Sequence, residues 1–464
     1  MISSTLRQAQ GPDSGHPINQ TLSPADAVDF VSEESRRQGA DRFDIVAGES
    51  ESMGLELFEG KVKSTELSNS RGIGVRLFRG KRPGFAFTER MTREALARTV
   101  ADAWSHASLT DEVEIDLPHP APLPEIDLRL FNPDLESVSF EDMKNFGLKL
   151  EEIALKTDSR IENVPYLGVS RGSGFSMLRN SNGVFYQSRQ SSVSAGLGAV
   201  AKDGENKKMG VYSKAGRSFE FDAEFIAHKA VERAVELLNA SPLESGTYPV
   251  VFSNRVSPQI FSMFSSPFFA EAVQKGQSRL SGKLGQSIAV PEFNLVSDPF
   301  IPLMPGSYLF DGEGVAARKL DIVRDGVLQT FLYNLESAKK DGVAPTGTAS
   351  RGYSGKAGTG FANYMVRKGN QTLDELLTAN PRCFYVVKLE GGSGCSAVSG
   401  EISIGAQGFF YEGGKRIHAV DRVTLNTNFF DLLNLIRGFS DSYSDSFSSV
   451  KVPDVLVDNI HVSG

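Results

Sequence analysis

The chain has 464 residues and a formal net charge of −8, with 40% hydrophobic and 23% charged residues. This composition is ordinary for a folded protein, the length exceeds what one hydrophobic core normally serves, and the acidic balance disfavours non-specific binding to nucleic-acid phosphates. With only Cys383 and Cys395, no run approaching ~20 apolar residues and no apolar signal-peptide segment at the N-terminus, the expectation is a cytoplasmic protein without a disulfide framework or a membrane partner.

Residues 1–20 are polar and carry Gly11, Pro12, Gly15 and Pro17, so they read as a flexible leader. Ser23, followed by Pro24 and Asp26, is a helix start, and the helix should run to Gly39. The hydrophobic period then changes. Segments 43–48, 53–60, 61–70, 72–80 and 83–88 read as short strands, with a hairpin turn at Glu59-Gly60-Lys61. The basic run from Arg71 to Arg82 alternates with apolar residues and reads as a strand and its turn with solvated charges. Thr88 or Thr92 can cap a second helix, in which Leu96, Val100, Ala103 and Trp104 share one face. Five prolines make 116–134 a connector.

Helix is expected again over 139–157, then strands over 160–180 and 183–203 about the Asn182-Gly183 turn. A further helix over 220–240 has Ala227, Val231, Ala234, Val235 and Leu238 on its apolar side. Beyond 241–249 the composition shifts towards Gly, Ser, Phe and Val in short strands, interrupted by helical patterns at 257–274, 373–379 and 428–438. The fold class is therefore α+β. An N-terminal domain over 21–240 packs helices on an antiparallel or mixed sheet, and a β-rich domain with few helices spans 241–464.

Chemical motifs are sparse. There is no CxxC, HExxH, calcium loop or complete phosphate-binding loop, and none of the six histidines has another at short ligand spacing. Gly168 to Gly172 fits G-x-S-x-G and makes Ser170 a candidate nucleophile, although residues 174–180 read as strand rather than the helix of a nucleophile elbow. Cys395, in GGSGCSAVSG, is a candidate thiol. Asp311 and Glu313, in D-G-E-G, offer paired carboxylates for a hard cation or acid–base work, or simply a glycine-rich turn. The stretch 352–360, GYSGKAGTG, is either a strand edge able to accept an extended peptide or a loop with no binding role.

Several segments taken together resemble the TldD/TldE (PmbA) family, widely labelled modulators of DNA gyrase. They are 61–88, 218–238, 248–253, 257–264, 399–420 and, most specifically, FDGEGVAARKLDIVRDGVLQTFLYNLESAKKDGVAPTGTA at 310–349. The resemblance implies an α+β N-terminal domain, a β-rich C-terminal domain and assembly as a dimer around an internal cavity. TldD-like members carry an H-E-x-x-x-H helix that holds zinc. Its three positions fall near Ser262, Met263 and Pro267 here, and a hydroxyl, a thioether and a proline ring cannot rebuild that site. Cys395 has no secure match to the metal-binding branch's cysteine.

The resemblance thus implies a PmbA/TldE-type subunit without catalytic residues, zinc or another cofactor of its own. Its partner would be a TldD-like chain carrying the zinc, or a second copy of itself. The complex would act on unfolded peptides, peptide-antibiotic precursors or antitoxins, with no direct contact to nucleic acid. Two alternatives stand beside it: an independent peptidase using Ser170 or Cys395, and a peptide-binding scaffold without enzymatic activity. The rings Phe261, Phe264, Phe268 and Phe269 in 260–273 are more than an unpartnered surface helix should show, so they face either a partner or the subunit's own core.

Overall fold

The computed structural model describes residues 21–464, so the expected leader at 1–20 lies outside the described residues. Its N-terminal part repeats one unit twice. The first unit is α1 (Pro24–Arg37), β1 (Arg42–Phe58), β2 (Lys61–Arg79), β3 (Arg82–Thr88) and α2 (Arg93–His106). The second is α3 (Phe140–Thr157), β4 (Ile161–Asn180), β5 (Phe185–Asp203), β6 (Asn206–Gly216) and α4 (Ala223–Val235). The units join through antiparallel β1 and β4 into one six-stranded sheet, order β3-β2-β1-β4-β5-β6.

Side-chain caps fix the helix starts. Ser23, Thr92 and Asp222 accept backbone N–H groups of the first turn, and Ser139 with Asp142 forms a reciprocal capping box. All four helices cover one face of the sheet. Phe43 and Ile45 of β1 pack in the core with α1 and α2, while Leu55, of the same parity, packs in the core with α3 and α4.

The short strands expected over 43–80 are two continuous ones, β1 and β2, paired along their length with one irregularity at Glu56/Leu57. The glycines that read as punctuation lie inside the strands for a packing reason. A Cβ at Gly72 or Gly74 would run into Tyr353, which reaches in from the C-terminal half.

That half begins with β7 (Gly246–Phe252), α5 (Ser257–Met263) and α6 (Ala270–Gln274). Next come β8 (Leu295–Ser297), β9 (Leu320–Arg324), β10 (Val327–Leu328), α7 (Leu335–Asp341), β11 (Ala349–Ser350), β12 (Gly358–Thr359) and β13 (Tyr364–Val366). The chain ends with α8 (Leu373–Thr378), β14 (Arg382–Glu390), β15 (Glu401–Glu412), β16 (Lys415–Asn428), α9 (Phe429–Leu435), β17 (Ile436–Phe439), β18 (Val450–Lys451) and β19 (Val455–Ser463). The sheet β16-β15-β14-β7-β19-β17 carries an extra β16–β19 pairing, which closes β7, β14, β15, β16 and β19 into a ring. The whole is α+β, with strands dominant in the C-terminal half. Among the described residues no helix is long and apolar enough to cross a membrane.

The continuous helix expected over 257–274 is broken into α5, a single 3-10 turn at Ser266–Phe268 and α6. Pro267 accounts for the break, since proline restricts the residue before it and removes a helix donor. Phe261, Phe264 and Phe268 are fully buried, and Phe264 stacks on Phe429 of α9 with ring centroids 4.5 Å apart. These rings are the subunit's own core, and only Phe269 is partly exposed. Phe264→Ala should therefore lower the unfolding free energy by about 3–5 kcal/mol, read as a shift of the urea midpoint. A variant within experimental error of the parent would show that the α5–α9 stack contributes little.

Candidate functional site

The resemblance expects the counterparts of the zinc motif near Ser262, Met263 and Pro267. Ser262 is exposed at the end of α5, its Oγ donating to the Gln259 carbonyl at 2.9 Å. Met263 is half-buried, and its Cε would lie 3.7 Å from a Cβ built on Gly392. Pro267 is buried, and its carbonyl accepts from Ser278 Oγ at 2.7 Å. A hydroxyl, a thioether and a proline ring in this arrangement do not fit a zinc ion. Among the described residues no group of three or more His, Cys, Asp or Glu side chains is placed to hold a metal.

Cys395 sits half-buried in the loop that carries Gly392, with its N–H donating to the Gly392 carbonyl at 3.0 Å. Met263 and the Cys395 loop are thus neighbours. Cys383 is fully buried, and burial pushes its thiol up to about 11. Ser170 is in the middle of β4, hydrogen-bonded Oγ to Oγ with Ser194 of β5 at 2.8 Å, and not on a strand-to-helix turn.

Asp311 and Glu313 are where sequence and structure meet most closely. Both are buried, at 3% and 2% exposure. Asp311 organises the turn: Oδ1 accepts the N–H groups of Glu313 (2.9 Å) and Val315 (3.0 Å), and Oδ2 accepts that of Ala349 (2.9 Å). Burial pushes its pKa up to about 7, against the opposing pull of those N–H groups and with help from the Glu313 charge. Glu313 Oε2 accepts the N–H of Leu335, and Oε1 accepts from Arg76 Nη2 at 2.9 Å.

Arg76 corrects the reading of the basic run as solvated. Its side chain is 12% exposed and also pairs with Asp44, its cross-strand neighbour. Arg351 completes the group, with Nη1 donating to Asp44 Oδ1 at 2.6 Å. Burial alone would raise the Asp44 pKa, but the charges and hydrogen bonds of Arg351 and Arg76 outweigh it and hold the carboxyl below its usual range. Asp44 and Arg76 point away from the helix-covered face, at the place where segment 310–353 lies on the sheet.

That segment is held by apolar contacts too. Phe310 and Tyr353 pack with Val46, Leu178 and Val184, and Tyr353 Oη donates to Glu89 at 3.1 Å. Tyr353 tips the loop of the β11–β12 hairpin. In the stretch 352–360, Gly358 and Thr359 pair with Ser350 and Ala349 just before it, and Tyr353 is seated on the glycines of β1 and β2. Two cavities flank the ion cluster. One of about 710 Å3 runs along Ser176, Gln190, Tyr308 and Phe310, and one of about 580 Å3 is bordered by Phe85, Val113 and Lys356; Arg351 borders both. Asp44, Arg76 and Arg351 escaped the sequence reading, although a charge within an apolar strand, as in F-D-I-V and V-R-L-F, is the available signal.

Residues 43–107, 133–238 and 245–464 match, in turn, domain 1, the central domain and the C-terminal domain of the PmbA/TldA metallopeptidases. The chain belongs to the PmbA/TldD family. A metalloprotease PmbA homolog of Haemophilus influenzae is 27% identical over 456 residues, covering 94% of this chain and 95% of that protein. A crystal structure of a proposed modulator of a DNA gyrase from Thermotoga maritima superposes with a TM-score of 0.86 at 26% identity, covering 95% of this chain and 100% of that one. TldE from Thermococcus kodakarensis shares the fold, with a TM-score of 0.84 at 21% identity over 95% of this chain and 99% of its own.

Two outcomes are expected from the ion cluster. Asp44→Ala leaves two buried guanidinium groups short of a partner and should cost about 3–5 kcal/mol, measured by urea unfolding at pH 7. For Asp311 the folded-state pKa is raised, so its contribution is full below about pH 4 and is lost as pH rises towards about 7. The parent should therefore lose up to about 4 kcal/mol across that interval relative to Asp311→Asn. Parallel stability–pH curves for the two proteins would refute the assignment.

Proposed function

We propose that this chain is the non-catalytic, PmbA/TldE-type subunit of a two-component peptidase. The observation that carries this reading is that Ser262, Met263 and Pro267 stand near the expected zinc-motif positions, in a chain whose residues 43–107, 133–238 and 245–464 match the family. In this reading a TldD-like chain carries the zinc and the general base. The present chain supplies shape, through the intact fold and the cavities beside segment 310–351. The substrates are unfolded peptides, with peptide-antibiotic precursors and antitoxins as the specific classes, and the compartment is the cytoplasm. A gyrase effect would be indirect, through processing of a peptide, and the net charge of −8 agrees with a protein that does not bind DNA itself.

Co-expression with the TldD-like chain of the same organism tests the proposal. The expected result is a stable complex of the two chains, peptidase activity only in the complex, and zinc that stays with the partner. One tightly held zinc per lone chain, whose chelation abolishes peptidase activity of that chain, would overturn it.

A further inference from the structure

A second polar site shares no lining residue with the two cavities beside the ion cluster. Where α4, β6, the turn before α5 and the end of β14 meet, they enclose a cleft of about 240 Å3. Its charged lining is mostly cationic: Arg233 from α4, Arg255 from the turn and Lys388 from β14, against Glu236. Glu236 serves Arg255, with Nη2 to Oε1 at 3.3 Å, and Lys388 has Glu390 at 3.6 Å. Arg233 has no carboxylate partner among the described residues. Its Nη1 donates to the Val211 carbonyl at 2.8 Å, its guanidinium lies over the Tyr212 ring at 4.7 Å, and its Nε is buried with no hydrogen-bond partner.

An arginine with a buried nitrogen lacking a partner and a second arginine facing the same cleft works against stability. Burial, and next the charge of Arg255, hold the Arg233 pKa below its ordinary value, so the two guanidinium groups oppose each other as they stand. A buried donor with no partner in the protein is rare and calls for a water or other group nearby; the excess of positive charge in the cleft is what favours an anion. A carboxylate set between the outer guanidinium nitrogens of Arg233 and Arg255 would supply the negative charge that the cleft lacks. The rest of the wall is apolar, from Leu237, Val387 and Leu389. A bare inorganic anion would leave that wall facing water, whereas a carboxylate on an apolar residue would cover it. Gln259, one helical turn before Ser262, also borders the cleft, which places it beside the α5 face.

We propose that this cleft binds the C-terminal carboxylate of a peptide, with Arg233 and Arg255 as donors and the apolar wall receiving the terminal side chain. The identity of the ligand as a peptide rests on the peptidase-subunit reading; the anion site does not. Bound there, a peptide end would be anchored next to α5, and the chain would run from it towards the position where a catalytic relative holds its metal.

Calorimetry on the full-length chain alone tests this, using N-acetyl-leucine, N-acetyl-leucinamide, 4-methylpentanoate and inorganic phosphate as probes. N-acetyl-leucine should bind saturably, with the amide at least about tenfold weaker, a difference of roughly 1.4 kcal/mol. Arg255→Gln, a change at a partly exposed side chain, should weaken N-acetyl-leucine by about the same factor while leaving the thermal midpoint unchanged. Equal binding of acid and amide, unaltered binding by Arg255→Gln, or no binding of N-acetyl-leucine at about 10 mM would each overturn the site. Binding of 4-methylpentanoate as tight as N-acetyl-leucine would reassign it to a free carboxylate, and tighter binding of phosphate to an oxyanion, and either removes the peptide proposal. Since no partner chain is present, a failure here is separate from a failure to form the two-chain complex.

Discussion

The arrangement of the two halves depends on four charges that have left water together. Asp44 sits between Arg76 and Arg351, and Arg76 reaches on to Glu313, so two residues from the N-terminal sheet and two from the C-terminal half form one chain of ion pairs. Removing such groups from water costs several kcal/mol each, and their mutual attraction offsets that only when the geometry is met. The cluster is thus a poor source of net stability and a strict condition on position. A shift of segment 310–351 by one residue along β1 would leave guanidinium and carboxylate groups buried and apart. Apolar contacts through Phe310 and Tyr353 can supply adhesion, but they tolerate sliding, and the charges do not.

The same separation of tasks describes the rest of the molecule. The family's three domains are retained along the matched residues, while Ser262, Met263 and Pro267 present no zinc-binding group of their own. Pro267 also shapes the local packing. By ending α5 early it directs the following turn inward, and its own ring becomes core. The segment is part of the subunit's own packing, stacked through Phe264 on Phe429.

Much of this was legible in sequence because local rules act locally. Ser23 announces a helix start that the structure places there, Thr92 is the cap of the Thr88 or Thr92 pair, and Ser139 opens the helix expected over 139–157, whereas the helix expected from 220 begins only after Asp222 and ends at Val235. Asn182-Gly183 marks the turn between β4 and β5, and the excess of strands after residue 241 is real. The misreadings have one cause. Gly72 looked like the edge of a strand because the tyrosine that needs its bare backbone lies far away in sequence, and Arg76 looked solvated because both of its acidic partners are remote or on the neighbouring strand. Asp311 and Glu313 were visible as a carboxylate pair, but nothing near them reveals that one caps a turn and the other closes an ion chain. The orphan Nε of Arg233 belongs to the same class, since periodicity says that a helix residue faces inward and not what it will lack there.

The doubled unit of the N-terminal sheet has a consequence for how the chain reaches its final form. Within each unit the β1–β2 and β4–β5 hairpins join residues close in sequence, so each can condense early and rapidly. The contact from Arg351 to Asp44 spans 307 positions. During synthesis, which delivers the N-terminal end first, both helix-and-sheet units are available before Arg351 has been made. Until then Asp44 and Arg76 stand on an uncovered face with water as their solvent. The ion chain is therefore a late event, a latch that closes on a finished surface. Truncated or stalled chains would carry the sheet without it and would expose the Val46, Leu178 and Val184 patch that Phe310 and Tyr353 later seal.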